Sequence, residues 1–106
     1  MADTIERLRK ICLALPDAVE TKNFGHPFFR IRKKPFCMYH GREDAPAIAI
    51  KVAKTEQGIF LEDPRFYKTP HVGQHGWVSL RVAGRLNWEE IAELVQASYQ
   101  LVAKRR

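Results

Sequence analysis

Apolar residues recur at helical spacing near both ends of the chain. Ile5, Leu8 and Cys12 lie three or four positions apart, and Pro16 ends the pattern. We predict a first helix here, with Asp3 and Glu6 forming a capping box. A second pattern from Trp88 to Val102 follows Asn87, which is typical of a helix-capping residue with Glu90 three positions on. The two patterns predict an N-terminal and a C-terminal helix.

Between these helices the chain is rich in β-branched and aromatic residues. Proline- and glycine-containing turn clusters divide this region. The predicted strands are VETKNF, FFRIR, FCMYH, AIAIKV and GWVSLRV, and TEQGIFLEDP is a candidate short helix. Consecutive strands bracketed by helices are typical of an α+β domain. We therefore predict one antiparallel sheet of about five strands, with the N- and C-terminal helices packed on one face and the whole chain, residues 1–106, forming a single domain.

Strand alternation separates the two faces of this sheet, because successive side chains point to opposite sides. The set predicted to face the helices is Phe29, Ile31, Ile48, Ile50, Val52, Val78, Leu80 and Val82. The set predicted for the uncovered face is Phe28, Arg30, Arg32, Lys51, Trp77, Ser79 and Arg81. Cations that contact phosphates and flat rings that stack on bases would make this second face suitable for nucleic acid. A solvated strand face with a partly covered tryptophan is the alternative.

The charge is uneven along the chain. The formal net charge is +6, and the stretch from 22 to 54 holds eight Lys or Arg against two acidic residues. The densest cluster, Arg30 to Lys34, falls where a hairpin should turn. A basic hairpin can hold phosphates, although lysines there also protect strand edges from aggregation.

The sequence contains no apolar run of the ~20 residues that span a membrane, and its two cysteines suit a reducing compartment. A cytoplasmic location without membrane attachment is therefore expected.

Chemical motifs are sparse. His71 and His75 are separated by Gly73, which disfavours a helix that would bring both to one metal ion, and Cys37 and His40 should lie on opposite sides of a strand. Gly73 to Gly76 lacks the Lys-Ser/Thr pair of a phosphate-binding loop. Cys37 is expected to be a buried, inert thiol. We predict no metal, no cofactor and no enzymatic activity.

Three segments resemble the MmcQ/YjbR family in order and spacing. They are FGHPFFRI at 24–31, EDPRFYKTPHVGQHGWVSLRV at 62–82 and LNWEEIAELVQASYQLVAKRR at 86–106. The resemblance covers nearly the whole chain. It implies a small α+β fold similar to that of type III secretion chaperones. It also implies the DNA-binding label that the family carries for its likeness to a double-wing motif, and it brings no catalytic residues.

The first functional hypothesis is a DNA-binding domain that contacts phosphates through the basic hairpin and the sheet face. Its predicted contact residues are Arg30, Arg32, Lys33, Lys34, Lys51, Trp77 and Arg81. A protein-interaction module with a chaperone-like fold is the second hypothesis. The third is a small-ligand site in the loop at 66–77, which would require Tyr67, His71, His75 and Trp77 to converge in a concavity.

Overall fold

The computed structural model describes residues 4–104. The helices are α1 (Thr4–Leu13), α2 (Lys54–Leu61) and α3 (Trp88–Lys104). The strands are β1 (Val19–Asn23), β2 (His26–Ile31), β3 (Lys34–Arg42), β4 (Ala45–Lys51), β5 (Phe66–Lys68) and β6 (Trp77–Arg81). The predicted α+β class is confirmed.

The two predicted helix caps have different outcomes. Asp3 of the predicted capping box lies outside the described residues. Asn87 does cap α3, because its side-chain oxygen accepts the Glu90 backbone N–H at 3.1 Å.

All six strands form one antiparallel sheet in the order β1-β2-β3-β4-β6-β5. The sequence predicted about five strands, one fewer than the six observed. The missed strand is β5, which has three residues and too little alternation to be recognised in the sequence. It pairs with β6 and completes one edge of the sheet.

One face of the sheet is covered by α1 and α3, as predicted. Leu8 and Cys12 of α1 and Ile91, Val95 and Val102 of α3 are buried in one cluster with the strand residues below them. The predicted core set is buried except for Val82, which is partly exposed. The hydrophobic effect of this single layer of helices on a sheet therefore accounts for the main core.

A β-bulge in β3 changes which residues enter this core. Phe29 pairs with Cys37 while Arg30 pairs with Pro35, so Phe36 is an extra residue on its strand. Both Phe36 and Cys37 are buried under the helices, and the Phe36 ring meets the Tyr99 ring edge-on at 5.3 Å. The bulge thereby sends Met38 to the opposite face.

A single hydroxyl joins α3 to the bulge. Ser98 Oγ donates to the Phe36 carbonyl oxygen at 2.6 Å and accepts the Lys51 backbone N–H at 2.9 Å. The β3–β4 ladder ends at the pair Cys37 and Ile50; Phe36 immediately precedes Cys37, and Lys51 immediately follows Ile50. The Ser98 hydroxyl therefore satisfies two buried backbone groups that the ladder leaves open at this point.

Candidate functional site

The β2–β3 hairpin ends in a two-residue turn made of Arg32 and Lys33. Both residues have positive φ, 50° and 71°, which is the backbone of a turn that normally favours Asn-Gly. Lys33 and Lys34 are exposed. The Arg32 guanidinium instead donates to the Ala103 carbonyl oxygen at the end of α3, at 3.1 Å. The prediction that Arg32 lies on the uncovered sheet face is therefore wrong, because the turn takes it out of the strand alternation.

More cations lie beside this turn. Two shallow depressions of about 230 and 260 Å³ adjoin each other and share Lys51 and His75 in their walls. Lys34 lines the first and Lys54 lines the second. These residues come from the start of β3, the end of β4, the start of α2 and the short 3-10 turn Gly73–His75. We call this region the basic end, formed by Arg32, Lys33, Lys34, Lys51, Lys54 and His75.

Arg30 lies on the uncovered face, as predicted, but it is held by neighbours. Its guanidinium donates to Thr21 Oγ1, Asn23 Oδ1 and the Lys33 carbonyl oxygen at 3.0 to 3.2 Å. It also lies over the Phe28 ring at 5.2 Å. Its bond to Lys33 ties it to the turn, so its immediate effect is to fix the backbone of the basic hairpin.

Arg81 lies at the opposite end of the sheet from Lys51. The two residues share a face, but Lys51 pairs with Trp77 and Arg81 with Ala47, roughly 13 Å further along the strands. The Arg81 guanidinium donates to the Pro64 carbonyl oxygen at 2.7 Å and lies over the Tyr67 ring at 4.7 Å. Arg81 is thus separate from the basic end.

Trp77 is buried, with 5% of its surface exposed. The expectation of an uncovered ring on this face is wrong, because Val72 and its neighbours, in the segment between β5 and β6, pack over it together with Met38 and Ala49. Sequence alternation gave the correct side of the sheet but contained no signal that this loop folds back.

The same loop forms one wall of a groove of about 650 Å³ on the face opposite the helices. We call it the aromatic groove. Its apolar walls are Phe24, Phe28, Pro35, Met38, Pro70, Val72 and Trp77. Phe24, in the β1–β2 turn, is 96% exposed and has a φ of 54°. The groove lies next to the basic end, because Pro35 and Trp77 line both the groove and the first basic depression.

The polar lining of the groove consists of Thr69 and three histidines, His26, His40 and His71. His40 Nε2 and Thr69 Oγ1 each lie 2.8 Å from Ser79 Oγ, which is fully buried. Burial, together with the nearby His26, holds the pKa of His40 below its ordinary value. This chain of hydrogen bonds fixes the His40 ring at the floor of the groove.

The four residues of the predicted ligand loop do not all converge. His71 and Trp77 line the aromatic groove, whereas His75 faces the basic end. Tyr67 packs against His40, with ring centroids 6.5 Å apart. The sequence interpretation missed Phe24, His26, His40 and Lys54, because only the strand register and the fold of the loop bring them to this surface.

Acidic side chains are concentrated elsewhere. Arg65 bridges Asp63 and Glu90 at 2.8 Å beside the end of β6 that carries Arg81. Its hydrogen bonds hold the pKa values of both carboxyl groups below their ordinary range. Among residues 4–104, none that lines the two basic depressions is acidic.

Within residues 4–104, no group of three or more His, Cys, Asp or Glu side chains is arranged to hold a metal ion. Cys12 and Cys37 are buried free thiols, and the hydrogen-bond interaction of the Cys12 thiol with Cys37, together with burial, raises the pKa of Cys12. No helix in this part of the chain is long and apolar enough to cross a membrane. The chemistry of the described surface therefore rests on lysine, imidazole and aromatic groups.

The sequence model of the YjbR family matches residues 13–101. The chain belongs to the YjbR family. The family predicted from the sequence motifs is thereby confirmed. No curated protein shows significant similarity to the sequence.

Two solved structures share the YjbR-family fold. One is a Deinococcus radiodurans protein with a DUF419 domain. Its sequence is 23% identical to this chain, its TM-score is 0.85, and the match covers 96% of this chain and 80% of that one. The other is a Pseudomonas syringae protein, 18% identical, with a TM-score of 0.75, covering 94% of this chain and 98% of that one. At these identities the likeness establishes the fold and leaves the function to the site itself.

Proposed function

We propose that this YjbR-family protein is a non-enzymatic nucleic-acid-binding domain, with DNA as its first candidate ligand, and that the basic end holds the phosphates. The observation that carries the proposal is the convergence of cations from separate chain segments. Lys33 and Lys34 come from the β2–β3 hairpin, and Lys51 and Lys54 from the end of β4 and the start of α2. A cytoplasmic location is part of the same proposal.

No described residue that lines the two depressions is acidic. A cluster of lysines attracts counterions and can exchange them for phosphate oxygens. The acidic groups Asp63 and Glu90 are paired with Arg65 at the other end of the sheet. The local potential at the basic end is therefore expected to be positive, which favours a polyanion.

The backbone of the hairpin turn gives further support. A positive φ is unfavourable for residues other than glycine, by roughly 1–2 kcal/mol each. Arg32 and Lys33 nevertheless occupy both such positions. A turn selected for stability alone would carry Asn-Gly. Cations held there at a conformational cost are consistent with selection for contact with a ligand.

The test is a fluorescence-anisotropy titration of a DNA duplex at several salt concentrations. Contacts from Lys33, Lys34, Lys51 and Lys54 would give a slope of log K against log salt near about −3.6, since each phosphate contact contributes about −0.9. Replacing Lys33→Gly and Lys34→Ala should flatten this slope by about 1.8 and weaken binding to all sequences alike. The glycine also relieves the positive φ, so loss of binding cannot be attributed to unfolding.

The matched control is Arg42→Ala with Arg85→Ala. It removes the same two charges from exposed positions at the other end of the sheet. Arg42 pairs there only with the exposed Asp44, an interaction worth little. Equal weakening by both double variants would show that net charge alone drives binding. Absence of binding by the wild type at low salt would refute the proposal and favour the protein-interaction alternative.

A further inference from the structure

The aromatic groove opens directly beside the basic end. Pro35 and Trp77 line both the groove and the first basic depression, so the two surfaces share a wall. When one part of a ligand occupies the basic depression, the adjacent part of the same ligand lies at the groove. The two surfaces are therefore expected to act on one ligand.

The lining of the groove specifies the chemistry of that neighbouring part. Among the described residues that form the groove there is no lysine, arginine or carboxylate. Phe24 and Phe28 offer aromatic faces, Trp77 contributes only the 5% of its surface that is exposed, and the polar groups are imidazoles and the Thr69 hydroxyl. Such a surface suits a flat, uncharged ring that carries hydrogen-bonding groups on its edge. A negatively charged part of the ligand, in contrast, is expected to bind at the basic end, outside the groove.

A single-stranded nucleic acid has this division of charge, with phosphates on its backbone and flat neutral bases beside them. We propose, resting on the function proposed above, that the aromatic groove receives an unpaired base while the basic end holds the adjoining phosphates. A volume of about 650 Å³ lies within the usual range for ligand pockets, roughly 300–1,000 Å³. Paired bases are stacked inside a duplex and cannot enter, so the groove selects single strands, loops or extruded bases.

The position of Phe24 agrees with this role. A phenylalanine that is 96% exposed in a turn with positive φ contributes little to folding. It lines the groove with a free aromatic face, together with the exposed His71. Both side chains can therefore be removed at little cost in stability, which makes the proposal testable without loss of the fold.

The experiment compares two single strands with the same number of phosphates, a twelve-residue oligothymidylate and a twelve-residue strand of abasic sites. Stacking of one base predicts about 5- to 160-fold tighter binding of the oligothymidylate. Phe24→Ala with His71→Ala should remove most of this ratio and leave affinity for the abasic strand within about twofold. Ile59→Ala, which trims an exposed apolar side chain on α2, is the control that should keep the ratio.

A second readout uses the intrinsic fluorescence of Trp77. In a Trp88→Phe background it is the remaining tryptophan, since the chain has two. Oligothymidylate should quench it and the abasic strand should not. Equal binding of both strands, or a ratio retained in the Phe24 and His71 variant, would overturn the inference.

The two proposals fail in different ways. If the wild type binds the abasic strand and duplex with the expected salt dependence but shows no preference for bases, the basic end stands and the base site is refuted. If neither strand nor duplex binds, both are refuted. The double lysine variant, Lys33→Gly with Lys34→Ala, should weaken both single strands and keep their ratio.

Discussion

Replacing Ser98 by alanine tests the junction between α3 and the bulged strand. The hydroxyl donates to the Phe36 carbonyl and accepts the Lys51 N–H, and its removal leaves two buried backbone groups without their partner. Each such group costs about 1–3 kcal/mol. Alanine has a higher helix propensity than serine, and this difference offsets about 0.5 kcal/mol of the loss. We expect a net loss of about 1.5–5.5 kcal/mol in the free energy of unfolding, with the part-buried Lys51 N–H contributing at the low end of its range.

Urea denaturation followed by circular dichroism measures this change, and thermal unfolding should show a fall in Tm of roughly 4–8 °C for each kcal/mol lost. Gln100→Ala, at an exposed position of the same helix, is the control and should stay within about 0.5 kcal/mol. Hydrogen exchange adds a local readout, because the Lys51 amide should lose protection in the Ser98 variant. A Ser98→Ala protein as stable as the wild type, with the Lys51 amide still protected, would refute the reasoning.

Four further predictions concern stability. Gly58→Ala in α2 should stabilise the fold by about 0.5–1 kcal/mol, because a Cβ there meets nothing within 4 Å. Gly76→Ala should destabilise it by more than 1 kcal/mol in the same denaturation assay, because φ is 94° and the Cβ would meet a backbone oxygen. The pKa of His40 is lowered in the fold, so the neutral ring stabilises the protein above its ordinary pKa of about 6.5, and this contribution is lost as pH falls below that value. His40→Gln should therefore reduce the loss of stability measured between pH 7.5 and 5, and an unchanged loss would contradict this assignment. Tyr99→Phe removes the hydrogen bond to the Pro16 carbonyl oxygen at 2.7 Å and should cost about 0.5–1.5 kcal/mol by urea denaturation, whereas no measurable change would show that water replaces the hydroxyl.

The fold was largely predictable from alternation and helical spacing. Phe29 and Ile31 were assigned to the correct face by strand parity alone, since a half-buried strand repeats every two residues. The bulge at Phe36 could not be predicted in this way. A regular hairpin with the same turn would pair Phe28 with Cys37 and place that thiol on the groove face. The extra residue, Phe36, places Cys37 on the helix face instead, and no local sequence pattern indicates the bulge.

The candidate site was less predictable than the fold. Lys33 and Lys34 were identified because a basic turn is visible as a run in the sequence. His26 and His40 were not, because only the shifted register of β2 and β3 brings them to one groove. The burial of Trp77 also depends on a loop that folds back over the sheet. Tertiary placement of loops is the part of a site that residue patterns leave open.

The order of the strands has a consequence for how the chain acquires its structure. Strands β1 to β4 form a meander joined by two-residue turns, and such local contacts form rapidly. The contacts of α3, in contrast, join positions as far apart as Tyr99 and Pro16. During synthesis the meander leaves the ribosome first and exposes the apolar face that α3 later covers. Docking of the last helix is thus the step that completes the core, and a nascent chain that lacks it presents its aggregation-prone surface to the cell.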